Sequence, residues 1–341
     1  MLKSFFKSAF EWSKSAAGIT VTVAVILLIV GTWDRGPYIL VNTIVTGGML
    51  GLTAMGLAII LGVLNIAQFA HGEYFMIGGL SAYYVIRPLH TYLNAHPNAF
   101  LAVVAPFIAM IVATLVGFIA GAVTERVCFN PLRKRSRANW VMNSFLLTVG
   151  ISVILVNGHQ LLFGADFKGI TNYWPGVVSI QGVFMSIDRV MAFALAVVIV
   201  IGFWVFMKYS RTGQAIRAVS QDEMGALMVG IGLDGIMVLT MGIGCAMAAV
   251  AGASLLFMYP SYPTVGLEPL YMAWFVVILV GLGNVMGALI GGFMVSLLKV
   301  LTLAYFGAGW EFVVPSVIII LVLIFKPSGV FGSEVRGVLD Q

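Results

Sequence analysis

Nine consecutive residues, Asn65-Ile-Ala-Gln-Phe-Ala-His-Gly-Glu73, set amides, an imidazole and a carboxylate into a stretch that is otherwise apolar from Leu57 to Ala82. Polar and ionisable groups at membrane depth are costly and mark functional positions by default, and a charged Glu73 near mid-bilayer would cost about 2.5–3.5 kcal/mol or more. Its carboxylate therefore needs His71, a backbone donor or a water-filled face. Polar residues at this density beside Gly72 predict a broken helix, the device that puts irregular backbone next to a transport pathway. Asn65, Gln68, His71 and Glu73 are thus candidates for a translocation pathway or its gate. The competing reading is a hydrogen-bond network that locks the break without touching substrate.

Other chemistries fail on inventory. His71 and Glu73 stand two residues apart with no cysteine or second histidine close by, so no metal-ligand set forms. Ser81 has no basic partner at a predictable depth for nucleophilic catalysis. No G-x-x-x-x-G-K-[ST] occurs, so this chain has no P-loop for ATP. Cys128 and Cys245 read as free thiols, and His90, His96 and His159 as loop or helix-end residues.

A second region is patterned for docking. The segment 209–231 is long and amphipathic: Thr212 is placed to cap a short helix, and Ser220 with Glu223 has the spacing of a capping box for another. Two surface helices presenting Met224, Leu227 and Met228 would form a docking surface for another protein. The plain alternative is an ordinary interfacial loop.

The elements that must hold these residues follow from composition. Hydrophobic residues make up 61% and charged residues 9% of the 341, against about 45–50% and about 25% in soluble proteins. So few charges cannot cover a soluble surface of this size, which excludes soluble two-domain, disordered, disulfide-scaffold and nucleic-acid-binding classes. The chain reads as an all-α polytopic membrane bundle; a β-barrel would alternate with period two, whereas these apolar runs are continuous. Counted against the roughly 20 residues needed to cross a bilayer, the runs fall near 16–33, 39–63, 71–86, 100–124, 141–163, 188–207, 234–258, 271–282, 286–306 and 312–326. Ten crossings are expected, or eight if the short runs are half-helices.

The net charge of +5 is a topology signal. Basic residues concentrate in the N-terminal arm (Lys3, Lys7, Lys14), in 125–139 (Arg126, Arg133, Lys134, Arg135, Arg137), in 207–224 (Lys208, Arg211, Arg217) and in the tail (Lys326, Arg336). Basic short loops stay cytoplasmic, and ten crossings put all four on that side, with both termini. The loops around Asp34–Pro37, Arg87–Asn98, Ala165–Asp188 and Pro260–Leu270 then face outward, and Glu73 is the rare charge left inside a span. Residues 1–15 read as an amphipathic arm on the inner leaflet, with Lys3, Lys7, Glu11 and Lys14 on one face. Residues 16–326 form the transmembrane domain and 327–341 a cytoplasmic tail. Small-x-x-x-small spacing at Gly47/Gly51, Gly117/Gly121 and Gly283/Gly287/Gly291 predicts close helix packing, and so many thin faces suggest a subunit interface as well.

Three blocks carry a resemblance to a known family. Gly62-Val-Leu-Asn-Ile-Ala-Gln-Phe-Ala-His-Gly-Glu-Tyr-Phe-Met-Ile-Gly-Gly79 resembles the Asn…Ala-His-Gly-Glu/Asp signature of the LivH-type permeases of branched-chain amino acid (hydrophobic amino acid uptake) ATP-binding-cassette importers, two residues longer than the commoner form. Arg211-Thr-Gly…Arg217-Ala…Asp222…Ala226…Gly230-Ile is similar to that family's ATPase-contacting loop. Pro263-Thr-Val-Gly-Leu-Glu-Pro-Leu…Gly281-Leu-Gly-Asn-Val-Met-Gly resembles its closing block. The resemblance implies a complex with a LivM-like sister permease, two LivG- and LivF-like ATPases that supply ATP and Mg, and a periplasmic solute-binding protein. It further implies a bacterial inner-membrane location, no cofactor in this chain, and coupling roles for Arg211, Arg217, Asp222, Glu223, Met224 and Gly230. Members carry branched-chain amino acids, other amino acids, urea, short amides or aromatic acids, so substrate choice rests largely with the binding protein.

Overall fold

In lipid no water satisfies the backbone, so long apolar runs close their hydrogen bonds internally as helices. The computed structural model describes residues 16–135, 139–180 and 182–332; the expected amphipathic arm (1–15), Arg137 and the tail from 333 onward lie outside them. Ten principal helices follow the ten apolar runs: α1 (Ala16–Arg35), α2 (Tyr38–Leu64), α3 (His71–Ala95), α4 (Ala99–Thr124), α6 (Trp140–Phe163), α7 (Ile187–Tyr209), α10 (Leu233–Ser254), α11 (Leu267–Val280), α12 (Val285–Tyr305) and α13 (Val313–Phe325). A π-helical turn, Glu125–Phe129, joins α4 to the short basic helix α5 (Asn130–Arg135). Two short helices, α8 (Arg211–Gln221) and α9 (Glu223–Met228), link α7 to α10. Eight helices among the described residues are long and apolar enough to cross a membrane. The remaining two principal helices are α3, which carries the polar residues, and α11, which has only fourteen residues.

The buried centre is made by α2, α3, α10, α11 and the inward faces of α4 and α12, while α1, α6, α7 and α13 are peripheral and largely exposed to the surroundings. Small residues set the spacing. Gly47 and Gly51 of α2 lie against Phe293 and Leu289 of α12, and Gly117 and Gly121 of α4 lie against Ala249 and Cys245 of α10. Helices α2 and α10 cross where Gly56 and Gly244 meet, each crowded by the carbonyl of the other. Gly287 and Gly291 face Val280 and Val276 of α11, whereas Gly283 (φ +80) sits in the turn before α12, against Gly62. All three of these glycines pack within the chain, Gly287 and Gly291 on α11 and Gly283 on α2.

The main departure from a simple up-and-down bundle is a pair of half-helices. After α2 ends, Asn65 turns the chain in a left-handed conformation (φ 53), and residues 66–70 run back into the bundle. His71 then reaches the carbonyl of Thr53, about 16 Å up α2 from Leu64 at 1.5 Å per residue. On the other side, the chain leaving α10 returns inward before α11 starts at Leu267. The two N-termini meet at Gly72 and Gly266, where each glycine abuts the other's carbonyl and neither has room for a Cβ. From this point α3 runs to one face and α11, about 21 Å long, runs to the other. Packing partners are exchanged accordingly: α2 pairs with α12 as α10 pairs with α4.

The basic segments at 126–135, 208–217 and 326 gather at one end. There Arg133 pairs with buried Glu125 (2.9 Å) and lies over the Trp140 ring, and Lys134 pairs with Asp234 (2.9 Å). At the opposite end the segment 164–186 folds as a cap containing an antiparallel hairpin, β1 (Val177–Ile180) with β2 (Val183–Ser186). Asp188 anchors it by accepting from the backbone N–H groups of Tyr173 (3.0 Å) and Trp174 (2.8 Å), and a bridge joins Lys168 to Ser261.

Candidate functional site

The interruption predicted at 65–73 is the re-entrant link between α2 and α3. Gln68, His71 and Glu73 are all buried and cluster at the membrane-embedded start of α3; Asn65 stays exposed at the basic end and does not join them. Glu73 lies in the first turn of α3, where the positive end of the helix dipole favours a carboxylate. Its Oε1 accepts from Ser152 Oγ of α6 at 2.6 Å, and its Oε2 has no partner among the described residues. The pairing of Glu73 with His71 considered from sequence is not made. His71 Nε2 instead meets the Thr53 carbonyl at 3.1 Å, under Gly56. Thr148 Oγ1, one turn before Ser152, lies 2.8 Å from the Phe145 carbonyl of its own helix and 3.1 Å from the Ala67 carbonyl, which share its one proton, so α6 touches the link at two points.

Aromatic rings close this cluster. Phe69 stacks on Trp274 of α11 (5.2 Å between centroids) and meets Phe145 of α6 edge-on at the same distance. Trp274 Nε1 and both ends of the Gln68 amide are buried without partners among the described residues. Unpaired donors and acceptors beside a carboxylate at membrane depth are unfavourable in a purely structural core. They suit a surface that polar groups traverse. Ser152, Thr148, Phe145 and Trp274 carried no sequence signal, because each lies in an apolar run and 70 or more residues from the link it touches.

The docking region forms the two short helices expected, with different caps. Ser210, not Thr212, caps α8 by accepting from Gly213 N (2.8 Å), and Asp222, not Ser220, caps α9 by accepting from Met224 N (3.0 Å). Ser220 Oγ donates back to the Arg217 carbonyl (2.8 Å). Gly213, Ile216 and Val219 anchor α8, while Arg211, Arg217, Asp222, Glu223 and Met224 face outward and Gly230 (φ +84) ends the unit in a conformation that glycine permits. Met228 is 82% exposed and Val229 76%, an apolar surface for a segment lying next to clustered charge. Asn65 joins this region: it lines a cavity of about 530 Å³ with Glu223, Met224, Leu227, Trp140 and Arg133. The re-entrant link thus starts beside α9.

One loop assignment is corrected: Glu268, read as part of an outer loop, occupies the first turn of α11, and beside Glu73 a second charge, Lys299, lies within an apolar helix, α12. Glu268 and Lys299 are ion-paired at 3.0 Å. Lys299 is hidden in sequence by the strongly apolar window around it.

A re-entrant polar site inside a multi-pass helical bundle, with two exposed short helices at its basic end, fits the class of membrane permeases. Comparison with known proteins narrows the class. The family described as branched-chain amino acid transport system / permease component matches residues 39–323. The high-affinity branched-chain amino acid transport system permease BraD of Pseudomonas aeruginosa is 31% identical over 300 residues, covering 86% of this chain and 94% of the relative. LivH of Escherichia coli K12 is 30% identical over 306 residues, covering 85% and 94%. A probable permease LivM of Methanocaldococcus jannaschii is 24% identical over 290 residues, covering 76% and 78%. No solved structure matches. The chain belongs to the branched-chain amino acid transport permease family.

Proposed function

We propose that this chain is one membrane subunit of an ABC importer that carries branched-chain amino acids across the bacterial cytoplasmic membrane, with its basic end and both termini in the cytoplasm. The observation that carries the reading is the connection between two regions. The re-entrant link holding Gln68, His71 and Glu73 begins at Asn65, and Asn65 shares a cavity with Glu223 and Met224 of α9. A partner pressing on α8 and α9 can therefore move the link directly, and through Phe69 the Trp274 ring of α11.

ATP and Mg belong to the partners in this scheme: two LivG- and LivF-like ATPases dock on α8 and α9, a LivM-like permease completes the pathway, and a binding protein delivers substrate to the capped end. The relatives' names support the substrate class, and the basic charge at one end supports the orientation. The test is the assembled complex in liposomes. Arg217→Ala with Asp222→Asn, the latter retaining the helix-capping oxygen, is expected to abolish substrate-stimulated ATP hydrolysis without loss of assembly; undiminished stimulation refutes the docking role. Glu73→Gln is expected to impair leucine uptake in an assembled complex, and normal uptake would leave Glu73 a purely structural residue.

A further inference from the structure

A second polar cluster lies at the other half-helix. Lys299 Nζ of α12 sits 3.0 Å from Glu268 Oε1 of α11 and 2.6 Å from Glu311 Oε1, and the Tyr259 hydroxyl donates to Glu268 Oε1 at 3.1 Å. Arg189, near the start of α7, lines the same cavity as Glu268, Tyr259 and Lys299. Two carboxylates thus share one ammonium, while the guanidinium has no ion pair among the described residues and its Nε is buried without a partner. The remaining wall is mostly apolar, with Met49, Leu255, Met258 and Met272 beside Thr46 and Thr53. A cation lacking an anion, carboxylates short of one cation and a thioether-lined wall together complement a zwitterion with an aliphatic side chain. The free volume is about 40 Å³, room for about one water, so the cavity is closed in this conformation. The Lys299–Glu268 bridge links α12 to the first turn of α11 there.

We propose that the cavity between Arg189, Glu268 and Lys299 is an occludable amino-acid station inside this chain, with Arg189 taking the carboxylate, Glu268 the ammonium and the methionine-rich wall the side chain. It rests on the amino-acid reading above, yet lies across the Gly72–Gly266 contact from the Glu73 cluster. Substrate entering from the capped end would displace Lys299 from Glu268 and free the N-terminus of α11 to move.

The permease–ATPase complex in nanodiscs, without binding protein, provides the test. Met272→Cys, in a background with Cys128 and Cys245 replaced by alanine, reports cavity access by its rate of modification with a small thiol reagent; Thr53→Cys serves as a second reporter. Leucine is expected to slow modification, and leucinamide, which lacks the carboxylate, to do so far less. Arg189→Ala should weaken the leucine effect by about tenfold or more, as expected for loss of a charge-assisted hydrogen bond, with Arg189→Lys recovering part of it. Absence of leucine protection at both reporters, or equal protection by leucine and leucinamide, overturns the station. If the wild-type complex with its binding protein fails to take up leucine, the amino-acid reading falls and the station with it; normal uptake without protection removes the station alone.

Discussion

Ser152 is the single side chain that donates to the Glu73 carboxylate among the described residues, at 2.6 Å, and Glu73 is only 3% exposed. Hydrogen bonds to charged groups contribute about 1.5–3 kcal/mol, and leaving a buried acceptor unpaired costs a similar amount. Ser152→Ala should therefore destabilise the protein by about 1.5–3 kcal/mol if Glu73 is ionised in the assembled permease. Ser152→Thr, which keeps the hydroxyl, should cost much less. The decisive comparison is a double-mutant cycle with Glu73→Leu, which removes the carboxylate altogether. With no acceptor left, deleting the serine hydroxyl has little further effect, and the coupling energy should be about 1–3 kcal/mol. Equilibrium unfolding of the reconstituted protein in mixed micelles measures all four variants. Additive effects, with a coupling energy near zero, would refute the assignment of Ser152 as the group that holds Glu73 and so the idea that α6 fixes the start of α3.

Two further outcomes follow from other contacts. Gly266→Val is expected to destabilise by about 1–3 kcal/mol through overpacking against the Gly72 carbonyl; Gly266 has φ −71, which any residue adopts, so a fully stable variant in thermal unfolding would show that the half-helices do not touch. Burial, reinforced by Glu268 and opposed by Lys299, pushes the Tyr259 hydroxyl up to about 12. Because the folded protein holds that proton more tightly than the unfolded chain, its contribution is complete below about pH 10 and is lost as pH rises toward 12; Tyr259→Phe should flatten the stability curve over this interval, and an unchanged curve would place the ring in solvent.

What could be read from sequence tracks how local the signal is. The break at 65–73 and the paired helices at 211–228 were legible because polar residues cluster within a few positions of one another, and the helical runs because their apolar length matches a bilayer. The caps were misplaced by two residues at both sites: Ser210 against Thr212 and Asp222 against Ser220. All four residues are of types that can cap, and the choice depends on which one leaves helical geometry first. The Glu268–Lys299 pair was missed for a different reason. Hydropathy averaging dissolves one lysine into α12, and Glu268 falls just before the apolar run counted from 271, although the helix starts at Leu267 with Pro269 in its first turn, where proline is at home. Similarly, the Gly283/Gly287/Gly291 spacing announced close packing without naming the partners, which are the adjacent α11 for Gly287 and Gly291 and α2 for Gly283.

The head-to-head meeting of α3 and α11 has a consequence for biogenesis. Gly72 leaves the ribosome long before Gly266, and at about 5–20 residues per second the roughly 190 intervening residues take about 10–40 s to make. During that interval the exposed start of α3, with its free N–H groups and Glu73, lacks the surface that will cover it. Ser152 emerges midway and can shield it first. Nascent chains truncated before residue 152 should therefore depend most heavily on an insertase or on the translocon wall, and those extended past residue 280 should be released from it.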